Sequence, residues 1–164
     1  MTVVSVDRDA QALTMTFVAE FDAPVERVWQ LWENPRRLER WWGPPTWPAT
    51  FEEYEFEVGA RAHYYMTGPD GEKMHGWWRI TAIDSPTRLE FHDGFADHNG
   101  EPVTPIDATY VVVTLETVAG KTRMTTLTTF TSAAQLDRML EMGMEEGMRE
   151  AMGQADAILA EVPD

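Results

Sequence analysis

The chain has 164 residues, 43% hydrophobic and 25% charged, a balance that fits one globular domain long enough to bury a core. Its 28 acidic and 13 basic residues leave a formal charge of -15, a field that repels phosphate backbones and anionic bilayers. Nucleic acid and membrane are therefore excluded as expected partners. There is no cysteine, so disulfides and thiol chemistry are excluded too, and no apolar run approaches the roughly 20 residues of a bilayer span. The first nine residues lack the basic-then-apolar pattern of a signal peptide, and a cytoplasmic location is expected.

Leu13, Met15 and Phe17 alternate with threonines, which predicts a first strand over residues 12–21. Asp22 is placed to cap a helix with Pro24 in its first turn, and Val25, Val28, Trp29 and Trp32 recur at helical spacing. Asn34-Pro35 ends that helix. A second short helix, residues 36–41, carries Leu38 and Trp41 before Gly43-Pro44-Pro45 stops it. Four of the seven tryptophans thus fall within fourteen residues.

Strand patterns follow over residues 48–56, 61–67, 74–83, 88–92, 108–117 and 122–130. Gly68-Pro69-Asp70-Gly71 turns one hairpin, and residues 93–107 form a long polar connection with Pro102 and Pro105. Ser132 and Gln135 then make a capping-box pattern. Leu136, Leu140, Met144, Gly147, Ala151, Ala155, Ile158 and Val162 give one apolar face to roughly 30 residues of helix. Gly143 and Gly147 each cost such a helix about 1 kcal/mol. Either they leave room for a large neighbour or ligand, or Gly143 marks a kink between two helices.

The motifs carry a resemblance. Phe21-x-Ala23-Pro24-x3-Val28-Trp29, with Pro35, Leu38 and Trp41-Trp42-Gly43-Pro44, opens it. Met66-x-Gly68-Pro69-Asp70-Gly71, His75-Gly76-Trp77, Leu89-x-Phe91, Gly120-x-Thr122-Arg123-Met124 and Met142-Gly143-Met144-Glu145-Glu146-Gly147 continue it. In order and spacing these resemble the Aha1-like (activator of Hsp90 ATPase homologue 1-like) domains of the SRPBCC, or START-like, superfamily, which includes Bet v 1-like and polyketide cyclase-like proteins. The resemblance runs from about residue 13 to residue 160. It implies an α+β helix-grip fold: a curved antiparallel sheet of about seven strands around a long C-terminal helix, with two short helices after the first strand. It also implies a single domain over 1–164, a cavity between sheet and helix, and, by analogy, a homodimer. Ala62 stands where relatives often carry a larger aromatic, which would enlarge that cavity.

Strand alternation turns Ala62, Tyr64 and Met66 inward and leaves His63 on the solvated face. The expected ligand-binding residues are Trp41, Tyr64, Met66, Trp78, Phe91, Phe95, Thr126, Thr128, Met139, Gly143 and Gly147. Met139, Met142, Met144, Met148 and Met152 would add a deformable helical wall. The expected function is holding an apolar or amphipathic small molecule without catalysis. One alternative is a cyclase- or hydratase-like enzyme using Tyr64, His92 or Asp93 as acid or base. Another is a chaperone- or stress-associated interaction module. His92-Asp93 and Asp97-His98 offer zinc-type ligands but bracket a loop without metal spacing, so no metal or other cofactor is expected. The acidic run from Glu52 to Glu57 reads as a solvated strand face.

Overall fold

Apolar residues at every second position bury one side of a strand, and eight segments of this chain meet that condition or are drawn into it. The computed structural model describes residues 3–103 and 108–161. Residues 104–107 of the expected polar connection, Pro105 and Asp107 included, and Val162 of the expected helical face lie outside the described residues.

The elements are β1 (Val3–Asp9), β2 (Thr14–Phe21), α1 (Val25–Glu33), α2 (Pro35–Leu38), β3 (Ala49–Glu53), β4 (Arg61–Thr67), β5 (Lys73–Asp84) and β6 (Arg88–Phe95). They continue with β7 (Thr109–Val118), β8 (Lys121–Thr129), α3 (Ala133–Glu141) and α4 (Met144–Leu159). The strands form one antiparallel sheet in the order β1-β2-β8-β7-β6-β5-β4-β3. Among the described residues only the β2–β8 pairing joins strands distant in sequence, and it runs from Thr14↔Thr129 to Phe21↔Thr122.

Eight strands replace the expected seven or so because of β1. Of its residues only Val3 is buried, so β1 forms by hydrogen bonding to β2 rather than by an apolar period of its own. β6 also runs to Phe95, three residues beyond the expected end, because Gly94 and Phe95 still pair with Trp77 and Gly76.

The helices attach at one corner. α1 buries Val28, Trp29, Leu31 and Trp32, but its N-cap is Pro24 without a side-chain bond, so Asp22 does not cap it. Asn34 caps α2 instead, its side chain accepting from the Arg36 and Arg37 backbone N–H groups. Trp32 packs edge-on to Trp41, with ring centroids 4.8 Å apart, and Trp78 stacks on Phe91 at 4.1 Å. Such aromatic pairs each add about 1 kcal/mol beyond area burial.

The C-terminal segment is not one long helix. Ser132 caps α3 by accepting from the Gln135 N–H, as the capping-box pattern predicts. Gly143 then adopts φ 86°, a left-handed conformation that an L side chain rarely tolerates, and α4 starts afresh at Met144. Of the two readings of Gly143, the break between helices is the one realised. Yet Gly143 and Gly147 also have open space where a Cβ would stand.

Candidate functional site: a methionine-walled cavity

A cavity of about 400 Å³ lies between β4–β7 and the α3–α4 break. Six methionines border it: Met66 and Met74 from the sheet, Met139 from α3, Met142 at the break, and Met144 and Met148 from α4. Trp42, Pro44 and Trp47, from the connection after α2, close one side, and Phe95, Thr109 and Phe130 another. Met142 is 51% exposed and Met74 43%, so these two stand at the mouth.

Two ionisable groups face this otherwise apolar space. Tyr64 donates its hydroxyl hydrogen to Asp93 Oδ1 at 2.9 Å. Burial pushes the Asp93 carboxyl up to about 7, and the Tyr64 hydroxyl and Trp78 indole N–H oppose part of that rise. Burial and then the Asp93 charge hold the Tyr64 phenol well above its usual range. The buried indole nitrogens of Trp42 and Trp78 have no hydrogen-bond partner of good geometry. The cavity wall therefore carries a carboxyl that shares or releases a proton near neutrality.

Tyr64, Met66, Phe95, Met139, Gly143 and Gly147 all border the cavity. Trp41, Trp78 and Phe91 do not; each is at most 1% exposed and belongs to the aromatic core. Trp41 is turned away because its Nε1 donates to the Leu31 carbonyl at 3.0 Å, which leaves the cavity side of the turn to Trp42. Thr126 and Thr128 are buried in the core beyond the cavity, and Thr126 Oγ1 has no protein partner. Ala62 is packed away and frees no cavity volume, and Met152 is wholly core. Of the acid–base candidates, strand alternation separates neighbours: Asp93 points in with Tyr64, whereas His92 points out and packs on the Tyr110 ring.

The other histidines depart from expectation. His63, expected to be solvated, is 8% exposed, and its Nε2 stands 2.9 Å from His75 Nδ1. The two rings stack with centroids 5.1 Å apart, and Glu52 Oε1 lies 3.9 Å from His63 Nδ1. Asp97 serves a turn, accepting from the Asn99 and Glu101 backbone N–H groups, while His98 is exposed. The four zinc-type side chains of that loop, from which no metal is expected, are dispersed, and the histidine cluster that forms comes from three strands.

A helix-grip scaffold with a cavity between sheet and C-terminal helices defines the class. The chain belongs to the family described as activator of Hsp90 ATPase homolog 1-like protein, whose model matches residues 22–160. It is similar over 99% of its length to a protein from Arthrobacter aurescens solved by NMR, with 60% identity, 95% of that chain covered and a TM-score of 0.93. Protein Ms6760 from Mycobacterium smegmatis is 44% identical, with 99% of both chains covered and a TM-score of 0.90. DynU16, described as a putative protein in the dynemicin biosynthetic locus, is 20% identical over 85% of this chain and 46% of its own, with a TM-score of 0.61, a likeness of fold alone. No curated protein matches. Among the described residues no helix is long and apolar enough to cross a membrane.

Proposed function

We propose that this protein holds one apolar or amphipathic small molecule in the cavity, with the ligand's polar end at Asp93 and Tyr64. The supporting observation is the wall itself: about 400 Å³ bordered by six methionines, with a single carboxyl–phenol pair. That volume is within the range of small-molecule sites, which combine apolar linings with a few placed polar groups. Thioether side chains repack at low cost, so such a wall accepts ligands of varied outline. A cysteine-free chain suits a reducing compartment, and the cytoplasm is the location we adopt.

Native mass spectrometry of the protein isolated from its own host tests this reading. A retained lipid-like mass, lost in a variant with a filled cavity, is the expected result. Absence of any such mass across growth conditions overturns it.

A second reading rests on Asp93 alone. A carboxyl near 7 can give or take a proton at cellular pH, which suits cyclisation or hydration chemistry. Among the described residues Tyr64 and Asp93 are the only ionisable groups on the wall, and Tyr64 is already bonded to Asp93, so binding is the leading reading. Turnover of a retained ligand that ceased in Asp93→Asn, with its binding preserved, would reverse that order.

A further inference from the structure

On the face of the sheet opposite the cavity, we propose that Glu52, His63 and His75 form a binding site for one divalent transition-metal cation of the zinc class.

The sheet assembles these residues by register. Tyr65 pairs with His75 and His63 with Trp77 across β4 and β5, so the two histidines are diagonal neighbours on one face. β3 carries a bulge between Phe51 and Glu53, and Glu52 sits in it. Bulges redirect side chains, and this one leaves both Glu52 and Glu53 exposed on the histidine side while Phe51 stays in the core. One donor atom from each of Glu52, His63 and His75 lies within 4.8 Å of the other two.

The chemistry fits the cation. Two imidazoles and a carboxylate form the ligand set of open zinc sites, and imidazole donors equally suit cobalt, nickel and copper. Donors around a tetrahedral zinc stand about 3.3 Å apart, given Zn–N bonds of about 2.0 Å. His63 Nε2 and His75 Nδ1 are 2.9 Å apart, so a small opening of the pair admits the ion. The cation takes the place of the hydrogen the two nitrogens share, and that proton moves to the other nitrogen of its own ring. Glu52 supplies charge compensation beside His63, offsetting Lys73, the cation nearest His75 on this face.

A roof fixes the inner ligand. Gly100, at φ 82°, lies against the His63 ring so closely that a Cβ would stand 2.8 Å from its Cγ. The Asp97 carboxylate holds that turn from beneath. His63 is thereby held while Glu52, with 51% of its side chain exposed, stays free to swing onto an arriving ion. Ordered inner ligands with one open approach are what a metal site needs.

Zinc and cobalt titrations of untagged, chelator-treated protein test the proposal, by calorimetry and by the visible absorption of Co²⁺. One equivalent of metal binds, and the NMR signals of the His63 and His75 imidazoles shift while those of His92 and His98 do not. His75→Gln and Glu52→Gln each weaken zinc about 10-fold or more, and His98→Gln leaves it unchanged. His75 and Glu52 lie at the outer edge, so their variants keep the test open even if His63→Gln fails to fold. No stoichiometric binding, or binding indifferent to both His75→Gln and Glu52→Gln, overturns the site. So does a response of His98 in place of His63 and His75.

Discussion

Tyr64 Oη and Asp93 Oδ1 are 2.9 Å apart on the cavity wall, and among the described residues no arginine, lysine or histidine borders that space. A carboxyl there has only neutral donors to stabilise its charge, which is why desolvation dominates its proton affinity.

The consequence for stability has a definite sign. Asp93 has an ordinary value of 3.8 and a folded value of about 7, so the folded state holds the proton more tightly than the unfolded. Its favourable contribution is complete below 3.8 and is lost as pH rises through about 7. Asp93→Asn keeps an acceptor for Tyr64 without the charge. The thermal midpoint of the variant relative to the parent, measured from pH 5 to pH 9, should rise with pH and level off above 8. A flat difference would mean that Asp93 is ionised throughout.

Gly76 pairs with Tyr64 across β4 and β5, and a Cβ built on it would stand 2.5 Å from the Tyr64 hydroxyl oxygen. Gly76→Ala should therefore displace the phenol and break its bond to Asp93. The expected cost is about 1–3 kcal/mol, from overpacking in the core. Chemical denaturation reads the loss, and a variant as stable as the parent would show that the ring rotates freely.

Gly147 offers a clean way to fill the cavity. It borders the cavity from within α4, its φ is not positive, and a Cβ there meets nothing within 4 Å. Gly143 is equally open but strained for any side chain, so a Leu there would confuse filling with misfolding. Gly147→Leu should abolish uptake of the neutral apolar dye N-phenylnaphthylamine without loss of stability. Gly153→Leu, exposed on the same helix, should leave uptake intact. Equal uptake by both variants would place the dye outside the cavity.

The tryptophan segment shows what sequence reveals and where it stops. The motif order from Phe21 to Gly147 was enough to fix family and fold. The choice between Trp41 and Trp42 as the cavity wall was not, because adjacent turn residues differ only in direction. That direction is set by one bond, from Trp41 Nε1 to Leu31, ten residues away. Tyr64 and Met66 were legible because strand alternation carries over directly, whereas Asp93 was expected in the connection after β6 and could not be told from His92 by alternation. Trp78 and Phe91 face the same interior but meet other rings before they reach open space. The histidine cluster was hidden for another reason. Its members are 11 and 12 residues apart, and only the β4–β5 register and the β3 bulge bring them together. β1 left the weakest trace, since an edge strand with one buried residue borrows its structure from β2.

Two side chains hold the start of α3: Ser132 accepts from the Gln135 N–H, and Gln135 Oε1 accepts from the Thr131 N–H. Ser132→Ala removes the cap on the Gln135 N–H and should cost about 1 kcal/mol. Hydrogen exchange should show the loss confined to residues 133–141, with α4 unchanged. Uniform loosening of both helices would mean that they unfold as one unit.

That expectation follows from the break at Gly143. α4 is riveted down by Met152, Ala155, Ile158 and Leu159, by Gln154 donating to the Gly43 carbonyl, and by Arg27 donating to the Leu159 carbonyl at 2.8 Å. α3 buries only Leu136 fully, an anchor worth about 1.5–3 kcal/mol. The two halves of the grip therefore have separate energies, the larger in α4 and the smaller in α3. A guest does not have to unfold its host to be released. It needs only the free energy to lift α3, Leu136 together with the half-buried Met139 and Leu140, and the left-handed glycine sets how far that lift spreads.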